Sequence, residues 1–326
     1  MPEPAANPAA ATRQQAAVSR LPVASPEIVA ALRDRREGVE IEARTQFRMV
    51  LDRFIHHRVA LLGLTVFIML VLFGTVGPLL WSTSYSAITN QFGTGPSSQH
   101  PFGTDTIGHD LFAQVMAAEA TTVKTALLVA VIATLLGTVI GAFAGYYGKL
   151  ADSALMRFTD LVLVVPPLAI LLVLSNKLSN QASNWFGIAI VLAALLWTYL
   201  SRLIRGSFLS LREREFVEAA RAIGASDRRI IFRHMIPNAI GAIAVNATLT
   251  VANAILFESF LSYLGLGIQP PAVSLGYLVA QGQSDATVLP WLFFFPAGFL
   301  IVTILAVNFI GDGLRDALDP TQRVRA

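Results

Sequence analysis

The chain has no cysteine, and only 14% of its 326 residues are charged. The first absence excludes disulfides, thiolate metal sites and a cysteine nucleophile. The second sets the chain apart from soluble domains, in which about a quarter of residues are charged. Together with 54% hydrophobic residues and a mean hydropathy of +0.60, it points to a membrane protein. A phosphate-binding loop is missing as well. The pattern G-x-x-x-x-G-K-[ST] does not occur, and GYYGKL at 145–150 has the wrong spacing and no hydroxyl residue. The chain therefore has no phosphate cradle of its own. There is no H-E-x-x-H, and His56, His57, His100, His109 and His234 form no metal-binding spacing. A net charge of +3 is too small to suggest a nucleic-acid partner. The expectation is a non-enzymatic membrane protein that binds no cofactor.

What the chain does have is long apolar runs, at roughly 59–80, 124–147, 158–178, 186–205, 242–266 and 289–311. A helical span needs about 20 apolar residues, and only helices or closed barrels satisfy backbone hydrogen bonds in lipid. The predicted fold is all-α, a polytopic membrane protein with six transmembrane helices. Counting from an inside N-terminus, 22 of the 24 Lys and Arg residues fall on one side, and only Lys124 and Lys177 on the other. The positive-inside rule then makes both termini cytoplasmic. Residues 1–57 read as a cytoplasmic tail, low in apolar periodicity at first and so disordered, with a short surface helix within 27–57. Residues 58–320 form the membrane domain, with a cytoplasmic loop at 206–238, and 321–326 form a C-terminal tail. Long segments at 81–123 and about 267–288 face outward.

The most informative stretch is the basic island EAARAIGASDRRIIFRHMIP, 218–237. Its grammar predicts two short helices. Phe216, Ala220 and Ile223 share one face at i, i+4, i+7 spacing. Gly224 suits the left-handed position after a helix, Ser226 or Asp227 caps the next helix, and Pro237 stops it. Small Ala219 and Ala220 let a foreign groove approach closely. Glu218 is placed to cap the helix, pair with a nearby Arg, or meet a partner. The plain alternative is a solvated basic loop that only sets orientation.

Within the apolar runs, Gly137, Gly141 and Gly145 form two overlapping GxxxG motifs, suited to close helix packing within this chain or against a partner. Pro166-Pro167 bends the third run. Asp160 sits near an interface. Glu258 lies inside the fifth run, and an intramembrane carboxylate is a functional candidate by default. Partner pairing, bonding to backbone near Gly265 and Gly267, and lining of a pathway all remain open for it, with pairing preferred. Asn246 and Asn253, seven apart, share a face and are candidates for bonds across helices.

The island resembles the EAA loop of ATP-binding-cassette importer permeases: Glu218, Ala219, Ala220, Gly224 and the Met235-Ile236-Pro237 ending match its pattern. Three further stretches narrow the resemblance. HPFGTDTIGHDLF (100–112), ESFLSYLGLGIQPPAVSLG (258–276) and GDGLRDALDP (311–320) are similar to segments of C-type permeases of the dipeptide/oligopeptide/nickel importer family. The likeness covers about residues 50–320. His109 stands where that family usually has Arg, Ala113-Gln114 where Ser-Arg is common, and Leu275 where Trp is usual; AAEATTVKTALLVA after Met116 lacks the usual Gly-x-Arg-x-Ser-Leu.

The resemblance implies a heterodimer with a second permease, separate ATP-binding subunits that use the ATP and grip the EAA loop, an extracytoplasmic binding protein, and a surround of lipid. Short peptides are the expected cargo, with nickel as the alternative. A self-contained secondary transporter would need ion-coupling groups or a repeated half, and only Glu258 offers anything of the kind. An intramembrane enzyme would need paired catalytic residues, and none is visible.

Overall fold

The computed structural model describes residues 46–164, 166, 169–170, 173 and 185–318. Nine helices of eight or more residues account for most of them: α1 (Gln46–His56), α2 (Arg58–Thr75), α3 (Leu111–Tyr147), α4 (Lys149–Val164), α5 (Trp185–Arg212), α6 (Glu215–Ala222), α7 (Ile236–Tyr263), α8 (Leu275–Asp285) and α9 (Trp291–Leu318). The β features among the described residues are two isolated bridges, Ile88 to His109 and Thr104 to Asp110.

Among the described residues, five helical segments are long and apolar enough to cross a membrane: α2, α3, α5, the continuous stretch Asp227–Tyr263, and α9. Each displays large apolar side chains to its surroundings, such as Leu62, Met69, Leu135 and Ile301. That all-round apolarity suits helices solvated by lipid. The third run of the sequence is seen as α4, which ends at Val164. Pro167 and most of the stretch to 178 lie outside the described residues.

The helix boundaries have local causes. The Asp110 side chain accepts from the Phe112 N–H at 3.0 Å and starts α3, satisfying one of the donors a helix N-terminus leaves open. Ser274 does the same for α8 through the Tyr277 N–H at 3.3 Å. The helix that carries the second apolar run begins well before residue 124. With 37 residues, α3 is roughly 55 Å long at 1.5 Å per residue, against about 30 Å of hydrocarbon, so it is longer than one crossing needs. Lys124 is no boundary: its ammonium lies 4.1 Å from the Trp185 ring centroid at the start of α5, a cation–π contact.

Three apolar clusters run through the bundle. The middle one joins α3, α5, α7 and α9 through residues such as Val129, Leu192, Ile255 and Val307. At one end, Phe208, Val217, Ile230 and Met235 gather under α6. At the other, Leu111, Val115, Leu275 and Leu292 gather under α8. The first of these ends has α6 and its arginines. The second has none of them: residues 76–123 and 264–290 contain no Lys or Arg.

Candidate coupling knob, glycine seam and buried carboxyls

Helix α6 ends in a Schellman motif. The Ala225 N–H donates to the Ala220 carbonyl at 3.0 Å and the Gly224 N–H to the Arg221 carbonyl at 2.9 Å, while Gly224 takes φ +79°. The paired bonds satisfy carbonyls that the helix end leaves open, and the positive φ is why glycine stands there. The inward face of α6 differs from the sequence expectation. Val217 and Ala220 are buried, whereas Phe216 is exposed and Ile223 is 86% exposed. The reason is the seat: α6 lies on Phe208, Ile230 and Ile231, and only the Val217–Ala220 edge meets them. Glu218 and Ala219 face outward, and among the described residues Glu218 has no side-chain partner.

The second half of the island is not a separate short helix. Ser226 takes the N-cap position without a side-chain cap bond. Asp227 instead accepts from the Tyr146 hydroxyl at 2.6 Å, and the same ring lies under Arg221, 5.6 Å from its centroid. A helical turn at Asp227–Arg229 leads through a π-helical turn, Ile230–Met235, directly into α7. The Ile236 N–H bonds the Ile231 carbonyl, five residues back. Pro237 therefore does not end the helix. It falls in the first turn of α7, where a missing N–H is tolerated, and the π turn makes room for its ring.

Gly137, Gly141 and Gly145 lie along α5. A Cβ on Gly137 would come within 2.8 Å of the Trp197 carbonyl, one on Gly141 within 2.9 Å of Ile204 Cβ, and one on Gly145 within 2.8 Å of the Arg205 carbonyl. The seam is internal to the chain. Beside it, Arg205 Nη2 meets Asp152 Oδ2 at 2.6 Å, and Arg202 pairs with Asp160, tying α4 to α5.

Glu258 is fully buried. Its carboxyl receives the Ser262 hydroxyl at 2.7 Å and those of Thr122 and Ser259 at 3.4 Å. Ser262 in turn accepts from the Ile268 N–H at 3.0 Å, and Thr122 from the Leu275 N–H at 3.2 Å. The carboxyl thus knots α3, α7 and the 264–275 turn together, and reaches loop backbone through hydroxyls. Asn253 is exposed on α7, and Asn246 bonds its own helix at the Ala242 carbonyl, 2.9 Å away; the expected bond between helices is not made by Asn246. A second buried carboxyl, Glu119, escaped the sequence reading. It lies in α3 within 3.0 Å of the Thr303 hydroxyl of α9. The signal was an acid flanked by alanines on the same helix period as Thr122.

The end opposite the knob is a layer of loops held by buried polar groups. Asp110 gathers the Trp81 indole N–H at 2.7 Å, the Phe112 N–H, and His100 at 3.3 Å. Asp105 accepts from the His109 backbone N–H at 2.7 Å, the His109 ring at 2.8 Å and the Ile107 N–H at 3.0 Å. The two histidines thus serve the loop. Among the described residues no group of three or more His, Asp or Glu is placed to hold a metal ion. Between this layer and α8 lies a pocket of about 370 Å³. Burial, with a smaller push from the Asp105 charge, raises the Tyr277 hydroxyl above the usual tyrosine range, so it stays a neutral group at the pocket wall.

A bundle of apolar spans with an exposed helix–glycine–helix knob at one end is the architecture of a transport permease. Residues 137–324 match the model of the binding-protein-dependent transport system inner membrane component, and residues 45–101 match that of the N-terminal TM domain of oligopeptide transport permease C. The chain belongs to the family of binding-protein-dependent transport system inner membrane components, and is a multi-pass protein of the inner membrane. It is 41% identical over 276 residues to the oligopeptide transport system permease protein OppC of Mycobacterium tuberculosis, covering 84% of this chain and 94% of that one. It is 39% identical over 300 residues to OppC of Haemophilus influenzae, covering 91% and 96%. A solved structure of the MetNI methionine ABC transporter in an inward-facing conformation shares the fold at a TM-score of 0.52 and 15% identity, covering 64% of this chain and 98% of that one.

Proposed function

We propose that this chain is the permease subunit of an ATP-driven importer of short peptides. It forms half of a membrane pathway with a second permease subunit. Separate ATP-binding subunits dock on the knob, where Glu218, Ala219, Ala220, Gly224 and Pro237 form or shape the contact, and an extracytoplasmic binding protein delivers cargo at the opposite end. Both termini and the knob are cytoplasmic, and the chain crosses the membrane six times.

The observation that carries this reading is the knob itself. Its outward face is solvated and unpaired at Glu218 and Ala219, its inward face is packed on Phe208, Ile230 and Ile231, and its second half, from Asp227 onward, runs without a break into α7. Closure of ATPases on the knob would be passed to the spans as a rigid-body movement between two states. Peptide cargo is supported by the relatives named as oligopeptide permeases. The spans also carry few charged groups, which suits a weakly selective passage better than a ligand ladder for a metal.

Growth of a deletion strain on tripeptides as the sole source of a required amino acid, measured beside nickel accumulation, tests the cargo. The expected outcome is loss of peptide use with unchanged nickel accumulation. The converse result would replace peptide by nickel and leave the permease assignment intact.

A further inference from the structure

The pocket of about 370 Å³ between the 85–109 loop and α8 has a definite chemical bias. Its size is that of a small-ligand site. Its wall includes two carboxylates, Asp105 and Asp285, two phenols, Tyr85 and Tyr277, and the amide of Gln281, over an apolar floor that includes Leu278. No Lys or Arg lines it.

The two carboxylates are not equivalent. Asp105 is already occupied by the His109 ring and by two backbone N–H groups. Asp285 has no side-chain partner among the described residues and is only partly exposed. A half-buried, unpaired carboxylate favours a cation that brings hydrogen-bond donors with it. Aromatic faces favour the same charge. Gln281 donates to the Tyr277 hydroxyl at 2.8 Å, which leaves its carbonyl oxygen to accept from an amide. The imidazole in the wall, that of His109, is already engaged by Asp105.

We propose that this pocket is a subsite for the α-ammonium end of an extended short peptide, with Asp285 as its counter-ion. The inference rests on the import reading, and names the end of the cargo this chain receives first. The volume also argues for a peptide segment over one lysine side chain of a docking protein: a lone ammonium stem would leave the apolar floor and the Gln281 carbonyl unfilled.

The test uses the full-length chain, purified in nanodiscs with the subunits that accompany it. The probe is the tripeptide photoleucine-Ala-Ala, offered with a free amine, as its N-acetyl derivative, and as its C-terminal amide. After irradiation, the free-amine peptide and the amide should label residues 273–285, and the N-acetyl peptide at least tenfold less. Asp285→Asn should lower free-amine labelling at least fivefold, and Asp285→Glu should retain it, which separates charge from folding. Equal labelling by the N-acetyl peptide, labelling only elsewhere, or no effect of Asp285→Asn overturns the subsite. So does exclusive crosslinking of an Asp285→Cys variant to a lysine of a co-purifying binding protein. Cells that still import tripeptides while labelling fails would sink the subsite alone; cells that import none would sink the import reading.

Discussion

The two ends of this bundle are built on opposite plans. The knob is held from below by apolar contact, Val217 and Ala220 on Phe208, Ile230 and Ile231, and it keeps most of its charges in solvent. The loop layer at the other end turns its charges inward. Asp110 is completely buried among the Trp81 indole, His100 and the start of α3, and Glu258 is completely buried among the hydroxyls of Thr122, Ser259 and Ser262. The difference matches the proposed docking of ATPases on the knob. A surface gripped by another protein needs a stiff support and an uncommitted outer face. A layer of irregular loops has few helical bonds to satisfy its backbone, so side-chain carboxyls must receive the N–H groups.

The comparison breaks most plainly if the two ends do not face opposite compartments. Single cysteines can be introduced without removing any native one. At Ser98 or Ser284, a cysteine should react in intact cells with an impermeant thiol reagent, and at Ser226 it should not. The expected difference is all or none, and labelling at 226 from outside would overturn the orientation drawn from the charge asymmetry.

Stability gives the next largest contrast. Asp110→Ala removes a helix cap, takes the acceptor from the Trp81 indole N–H, and leaves a gap beside the buried His100 ring. The expected loss is about 3 kcal/mol or more, seen as a lower midpoint of thermal unfolding in detergent and as a reduced membrane level. A variant that unfolds like the parent would show that the loop layer is not held by its buried carboxyls.

The knob should behave in the reverse manner. Gly224→Val forces a β-branched residue to φ +79°, though a Cβ there meets nothing within 4 Å, so the cost is backbone strain of roughly 1–3 kcal/mol. Ala219→Trp, on the exposed face, should change stability by about 0.5 kcal/mol or less. Both should reduce co-purification of the ATPase at least fivefold while the chain still inserts. Wild-type recovery of the ATPase with both variants would remove the docking role from this surface.

How much of this was legible in the sequence differs by element. The Gly224 turn and the glycine seam could be read because each depends on a local demand: a positive φ in one case, and backbone approach every fourth residue in the other. The inward face of α6 could not, because 3.6-residue periodicity is compatible with either the Phe216–Ile223 edge or the Val217–Ala220 edge. Packing against Phe208 and Ile230, distant in sequence or in the next turn, made the choice. Pro237 was misread as a stop because proline usually ends helices, and the π turn that absorbs it leaves no mark on composition. Glu119 was hidden by starting the second span at Lys124. The cation–π contact of that lysine with Trp185 is a tertiary fact, so nothing local distinguished it from a boundary residue.

The π turn at Ile230–Met235 has a further consequence. Because the Asp227–Arg229 turn before it and α7 after it belong to one continuous helix, the point at which the chain enters that helix from the Gly224 turn is placed around the α7 axis by residue count. Deleting or inserting a single residue there would swing that entry point by about 100° around the axis, whereas the same change in a slack connector would be absorbed. The segment is thus a length standard: the number of residues from Ser226 to α7 fixes the direction from which the chain arrives.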